Sequence, residues 1–213
     1  MLQSLMRRVT WYFDFVSPFS YLCLARLHEL PPDVELDYRP VLFAALLQRF
    51  GQKGPAEIDA KRRWTYRSCQ WSADRLGLPF RFPATHPFNP LRHLRLAIAA
   101  RSGPAAVKRI FEAIWTTGED PANRDAFMAL ARALDVDAQA VDAPEIKDEL
   151  RENTEHAAAA GVFGVPSFDA DGEIFWGADS IDFLKAFLAD ASILNGSEMK
   201  RLDSLPVGAS RRS

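Results

Sequence analysis

Ser17 stands at the end of an aromatic and β-branched run, Val9 to Val16, and Pro18 follows it directly. Serine is a favoured helix N-cap and proline a favoured first helical residue, so one reading of the pair is purely structural. The other is chemical. The free N–H groups and the dipole of a helix N-terminus stabilise anions, a thiolate among them. A dithiol redox centre at such a position needs Cys-x-x-Cys, and Ser17-Pro18-Phe19-Ser20 lacks both sulfurs. A serine hydroxyl there can instead donate a hydrogen bond to a thiolate that a ligand brings. A second candidate is Gly164-Val165-Pro166-Ser167, just ahead of a strand-like run. It reads either as a plain turn and strand start or as a cis Val165–Pro166 bond. The third is Gly177-Ala178-Asp179-Ser180, where Asp179 either caps a helix or presents its carboxylate to a ligand beside the helix N-terminus.

The elements around these residues follow from periodicity. Val9 to Val16 predicts a strand, and Tyr21, Leu22, Leu24, Leu27 and Leu30 recur at helical spacing until Pro31-Pro32 stops them. Val34 to Val41 alternates and predicts a second strand, parallel to the first through a right-handed crossover. Then come helical segments: Phe43 to Phe50, Glu57 to Leu76 with Trp64 and Trp71 on one face, Leu91 to Ala100, Ala105 to Trp115, Arg124 to Leu134 and Glu145 to Ala160. Strands return over Pro166 to Ala170 and Glu173 to Trp176, joined by an Asp171-Gly172 turn. A closing helix is expected over Asp179 to Asp190. The stretch from Ser192 to the Ser-Arg-Arg-Ser end has no clear period and is expected to be a mobile tail. The order is β-α-β, a helical block, then β-β-α. Without the block this is thioredoxin topology, an α/β fold with a large all-helical insertion.

Of 213 residues 48% are hydrophobic, ample for a packed core, and no apolar run approaches a bilayer span. Met1 to Arg8 has no apolar stretch ahead of a cleavage site, so a secretory signal is not expected and a cytoplasmic location is. Cys23 and Cys69 are too few and too far apart for a disulfide scaffold or zinc site. Cys23, six residues past Ser17, faces away from it on the helix and is expected to be buried and inert. Histidines 28, 86, 93 and 156 form no metal spacing and suit surface or structural roles. From Arg49 to Arg101 eleven Lys/Arg oppose three acids, about +8; from Glu119 to Asp190 seventeen acids oppose five bases, about −12. With a net charge of −2 and no nucleic-acid motif, the basic stretch suits a small anionic substrate rather than nucleic acid.

Three motifs in order resemble one family. Phe13-Asp14-Phe15-Val16-Ser17-Pro18-Phe19-Ser20-Tyr21-Leu22 looks like the N-terminal signature shared by 2-hydroxychromene-2-carboxylate isomerases and kappa-class glutathione transferases. Phe163-Gly164-Val165-Pro166-Ser167-Phe168 and Phe175-Trp176-Gly177-Ala178-Asp179 are similar to its C-terminal signatures, and Phe82-Pro83 with Phe88-Asn89-Pro90 to its middle. The resemblance implies a DsbA-like thioredoxin fold, a homodimer, and glutathione as cofactor. It implies that Ser17 hydrogen-bonds the glutathione sulfur and that Val165, beside Pro166, pairs with the glutathione backbone. Asp179, with Ser180 beside it, would contact the γ-glutamyl end. The implied substrate is a small aromatic carboxylate, an unsaturated pyruvate isomerised through reversible thiolate addition; Arg62, Arg63 and Arg67 are candidates for its carboxylate. Two positions depart from the family: Ser180 where it commonly has arginine, and Glu57 where it tends to have asparagine. A kappa-like glutathione transferase and a non-catalytic thioredoxin-like binding protein are the other readings. The expected boundaries are 9–50 and 161–190 for the two parts of the thioredoxin-like domain, 51–160 for the insertion and 191–213 for the tail.

Overall fold

The structure, a computed structural model, describes residues 6–209. Strand β1 (Arg7–Phe13) lies at the centre of a four-stranded sheet ordered β2-β1-β3-β4. It pairs in parallel with β2 (Val34–Pro40) and antiparallel with β3 (Ser167–Ala170). β3 turns back through Asp171-Gly172, both at positive φ, into β4 (Glu173–Trp176). Helix α1 (Pro18–Leu24) makes the crossover from β1 to β2. Both faces of β1 are covered, which explains its nearly continuous apolar run. Trp11 and Phe13, joined by Phe15 just past the strand, point one way into the main core; Tyr12 points the other way, into a smaller cluster with Val41, Leu46 and Val165.

The helical segment is α2 (Phe43–Arg49), α3 (Asp59–Leu76), α4 (Leu91–Ala99), α5 (Pro104–Trp115), α6 (Arg124–Ala133) and α7 (Pro144–Ala159). Proline opens α5 and α7 at positions that need no N–H, and the Asn123 side chain caps α6 by accepting from Asp125 and Ala126 N–H. α5 packs this segment onto the sheet. The Phe111 ring lies 4.5 Å from that of Phe15 and 5.7 Å from that of Phe13, and Trp115 Nε1 donates to the Phe15 carbonyl at 3.0 Å. Helix α8 (Ile181–Ala189) covers the sheet through Ile181, Leu184 and Phe187. These elements form the DsbA-like thioredoxin fold with its helical insertion.

Beyond α8 the expected mobile tail is corrected. A 3₁₀ segment, Ala191–Asn195, and helix α9 (Ser197–Asp203) follow, and Ile193 and Leu194 pack against the main core. The 3₁₀ segment is started by the Asp190 carboxylate, which accepts from Ser192 N–H at 2.9 Å. Two apolar residues side by side anchor it without any helical period. The Ser-Arg-Arg-Ser end lies outside the described residues. Among the described residues, no helix is long and apolar enough to cross a membrane.

Candidate functional site

Ser17 caps α1: its Oγ accepts from Ser20 N–H at 3.2 Å and donates to the Val165 carbonyl at 3.4 Å. The second bond is long, so the hydroxyl proton is easily redirected. Pro18 has no N–H, which makes Phe19 N–H the first donor of the helix, and it has no partner among the described residues. An anion above Ser17 would therefore meet one hydroxyl and one backbone N–H at the positive end of a helix. Ser20, in the place of a second sulfur, is fully buried with its Oγ unpartnered.

The turn before Ser17 is tied down on several sides. Asp14 is fully buried; its Oδ1 accepts from Val16 N–H at 3.0 Å and its Oδ2 from Phe43 N–H at 2.9 Å, and its carbonyl receives Ser17 N–H at 3.1 Å. Burial pushes this carboxyl up to about 7, and backbone N–H groups, led by that of Val16, hold it from rising further. A raised folded-state pKa means that the proton binds the folded chain more tightly than the unfolded one. This contribution to stability is complete below the ordinary carboxylate range and is lost as pH rises through about 7. Denaturant midpoints measured between pH 5 and pH 8 are expected to fall with rising pH, and to fall much less steeply in Asp14→Asn.

Beside Ser17 opens a cleft of about 1010 Å³; Ser17 itself is buried behind its lining, bonded to the carbonyl of Val165, which does line it. One wall is Phe19, Leu22 and Arg26 on and just after α1; the opposite wall is α3; the third side is Val165-Pro166 with the loop from Trp176 to Asp179. The Val165–Pro166 bond is cis. Gly177, at φ +102°, bends the chain between β4 and α8; a Cβ there would stand 2.5 Å from Asp179 Oδ1, so only glycine leaves that carboxylate where it is. Gly164 serves Trp176 similarly: a Cβ would fall 2.7 Å from the indole Nε1.

The match to known proteins agrees with this geometry. The DSBA-like thioredoxin domain matches residues 8–189. A 2-hydroxychromene-2-carboxylate isomerase of Sphingobium xenophagum is 31% identical over 193 residues, 86% of this chain and 99% of that protein. The chain belongs to the DSBA-like thioredoxin family, in its 2-hydroxychromene-2-carboxylate isomerase group. A solved 2-hydroxychromene-2-carboxylate isomerase superposes with a TM-score of 0.75 at 26% identity, covering 88% of this chain and 97% of that one. A glutathione S-transferase kappa 2 of Caenorhabditis elegans is 25% identical over 85% of this chain and 92% of that protein.

Within this family member, Val165, Pro166 and Asp179 line one cleft and Ser17 lies behind it, bonded to the Val165 carbonyl, while Ser180 does not line it. α8 begins at Ile181, so Asp179 lies ahead of its cap position and stays exposed, while the Ser180 hydroxyl donates to the Gly177 carbonyl at 2.8 Å. Arg62, Arg63 and Arg67 are also off the lining: Arg62 turns to Asp59 at 2.7 Å and to the Ala56 carbonyl at 3.3 Å. The cations that α3 presents are Lys61 and Arg75, flanking Trp64 and Trp71, with Arg75 over the Trp71 ring at 4.9 Å. Glu57 is occupied locally, accepting from Gly54 N–H at 2.6 Å. Arg26 carries no motif or spacing that marks it in the sequence. It pairs with both oxygens of Glu29, at 2.7 and 2.9 Å, and donates to the Ala178 carbonyl at 3.2 Å, which ties the end of α1 to the loop carrying Asp179. Cys23 is buried as expected, and burial pushes its thiol well above the ordinary range.

Proposed function

We propose that this protein is a glutathione-dependent isomerase acting on an unsaturated aromatic pyruvate, as 2-hydroxychromene-2-carboxylate isomerases do. The observation that carries the reading is one cleft lined by Phe19 at the α1 N-terminus, the cis Val165–Pro166 edge and Asp179, with Ser17 directly behind that edge on the Val165 carbonyl. Glutathione would supply a thiolate whose reversible addition makes a conjugated double bond rotatable, with no net oxidation and no metal. Ser17 would turn its hydroxyl from the Val165 carbonyl to the sulfur, and Phe19 N–H would add a second donor. A free thiol has a pKa near ~8.5, so both donors would raise the thiolate fraction at neutral pH. The released Val165 carbonyl would accept from the peptide backbone of the ligand. Asp179 would hold the α-ammonium of the γ-glutamyl end, and the aromatic and cationic face of α3, with Trp64 and Lys61, would receive the acceptor.

Glutathione titration by calorimetry, followed by turnover of 2-hydroxychromene-2-carboxylate, tests this. Saturable binding with turnover supports it; absence of binding to the wild type overturns it. Asp179→Asn is expected to weaken glutathione about five- to tenfold while leaving cysteinylglycine, which has no γ-glutamyl end, unaffected. Equal losses for both ligands would remove Asp179 from that role. Similarity to kappa transferases favours a second reading, glutathione conjugation to an electrophile. Turnover of chlorodinitrobenzene without isomerisation would select it.

A further inference from the structure

Outside the motifs that point to the cleft, His86 is a titratable group hydrogen-bonded to the residue before Ser17. It sits in the proline-rich connection between α3 and α4, in a ring cage formed by Tyr66, Phe82, Phe88 and Trp115, with centroids 5.2 to 6.3 Å away. Its Nε2 is 2.8 Å from the Val16 carbonyl, and its Nδ1 is 2.7 Å from the Tyr66 hydroxyl, which also lies 2.8 Å from the His86 carbonyl. A carbonyl only accepts, so Nε2 carries the proton, and the phenol proton of Tyr66 is shared between Nδ1 and the His86 carbonyl. Burial holds the imidazole below its usual pKa, which favours this neutral tautomer.

The consequence is geometric. The peptide groups on either side of Val16, the residue before Ser17, are held from opposite directions: its N–H by the Asp14 carboxylate and its C=O by His86. Tyr66 follows Thr65 on α3, the helix whose Lys61, Trp64 and Thr65 line the cleft. The Ser17 turn that would bind a thiolate and the wall that would receive an acceptor are thus joined through two side chains.

We propose that His86 and Tyr66 are positioning residues that fix the Val16–Ser17 turn against α3, so that the Ser17 hydroxyl and Phe19 N–H converge on one point. The functional part rests on the glutathione reading above; the positioning part does not. The donors act on a charge only while aligned, and a turn free to shift loses that alignment.

Two measurements on the full chain test this. In the ligand-free protein, amide hydrogen exchange of the 16–24 segment is expected to be several-fold faster in His86→Ala and Tyr66→Phe than in the wild type. In His86→Gln, whose amide can still donate to Val16, it returns toward the wild-type rate. With glutathione bound, the thiolate ultraviolet absorbance followed against pH is expected to give a sulfur pKa about one unit higher in His86→Ala, restored in His86→Gln. Exchange unchanged in Tyr66→Phe, which keeps the ring packing, overturns the positioning role of Tyr66. A His86→Ala protein that is less stable yet binds a thiol of wild-type pKa overturns the functional role and leaves a structural histidine. A wild type with no thiolate signal defeats the glutathione reading alone, and the exchange comparison still decides the positioning claim.

Discussion

Ser17→Ala is expected to weaken glutathione about tenfold and to raise the pKa of the bound thiol, with a much smaller effect on folding. The two consequences come from two bonds of one atom. As an acceptor, Oγ caps α1 through Ser20 N–H, and losing a serine cap costs about 1 kcal/mol. As a donor, the hydroxyl now reaches Val165 over a long 3.4 Å bond, so turning it to a sulfur gives up little. The loss should be largest where the thiolate is populated and should shrink at low pH, where the thiol stays protonated with or without Ser17. Calorimetric titration from pH 6 to 9, beside thermal unfolding of both proteins, separates the roles. A cap that did nothing else would lower stability and leave affinity untouched, which is the prediction of a non-catalytic binding protein.

Phe111→Ala should carry the largest stability effect, about 3–5 kcal/mol, the usual range for a buried phenylalanine emptied to alanine. Phe111 is fully buried, and its ring meets those of Trp11, Phe13, Phe15 and Tyr21. Three of these belong to β1 and the residues just after it, and Tyr21 belongs to α1, while Phe111 belongs to the helical segment. The cavity would therefore open between the two parts of the chain that carry the cleft's walls, where neither can collapse independently. Urea unfolding followed by far-ultraviolet circular dichroism and tryptophan fluorescence should show one transition at lower midpoint by both probes. Two separated transitions, with the sheet surviving, would mean that the helical segment folds on its own core.

Much of this was legible in residue order. The aromatic and β-branched run of β1, the helical spacing after Ser17, the Asp171-Gly172 turn and the prolines that open α5 and α7 each reflect short-range sterics and hydrogen bonding, which act within a few residues. For the same reason Ser17, Val165 and Asp179 stand out in the sequence as candidates, since each stands at an element boundary that its own neighbours mark. The rotation of α3 about its axis was not legible. Its exposed face carries Trp64 and Trp71, 73% and 60% exposed, so apolar spacing does not separate inside from cleft, and arginines a residue or two from Lys61 were equally good candidates. Only packing against α1, where Leu22 meets Cys69 and Ala73, sets that rotation and turns Lys61 and Arg75 to the cleft in place of Arg62, Arg63 and Arg67. The turn at Gly177 likewise ended on Ser180 rather than Asp179, because the Ser180 hydroxyl found the Gly177 carbonyl.

His86 marks the boundary between the two kinds of information. It lies 70 residues along the chain from Val16, and nothing in their spacing relates them. Local order determined which segments are strands and helices and which residues stand at their ends. Tertiary structure decided which distant groups close on the Ser17 turn, because a hydrogen bond between residues that far apart depends on how whole elements pack, and packing sums contacts that no short window of residues contains.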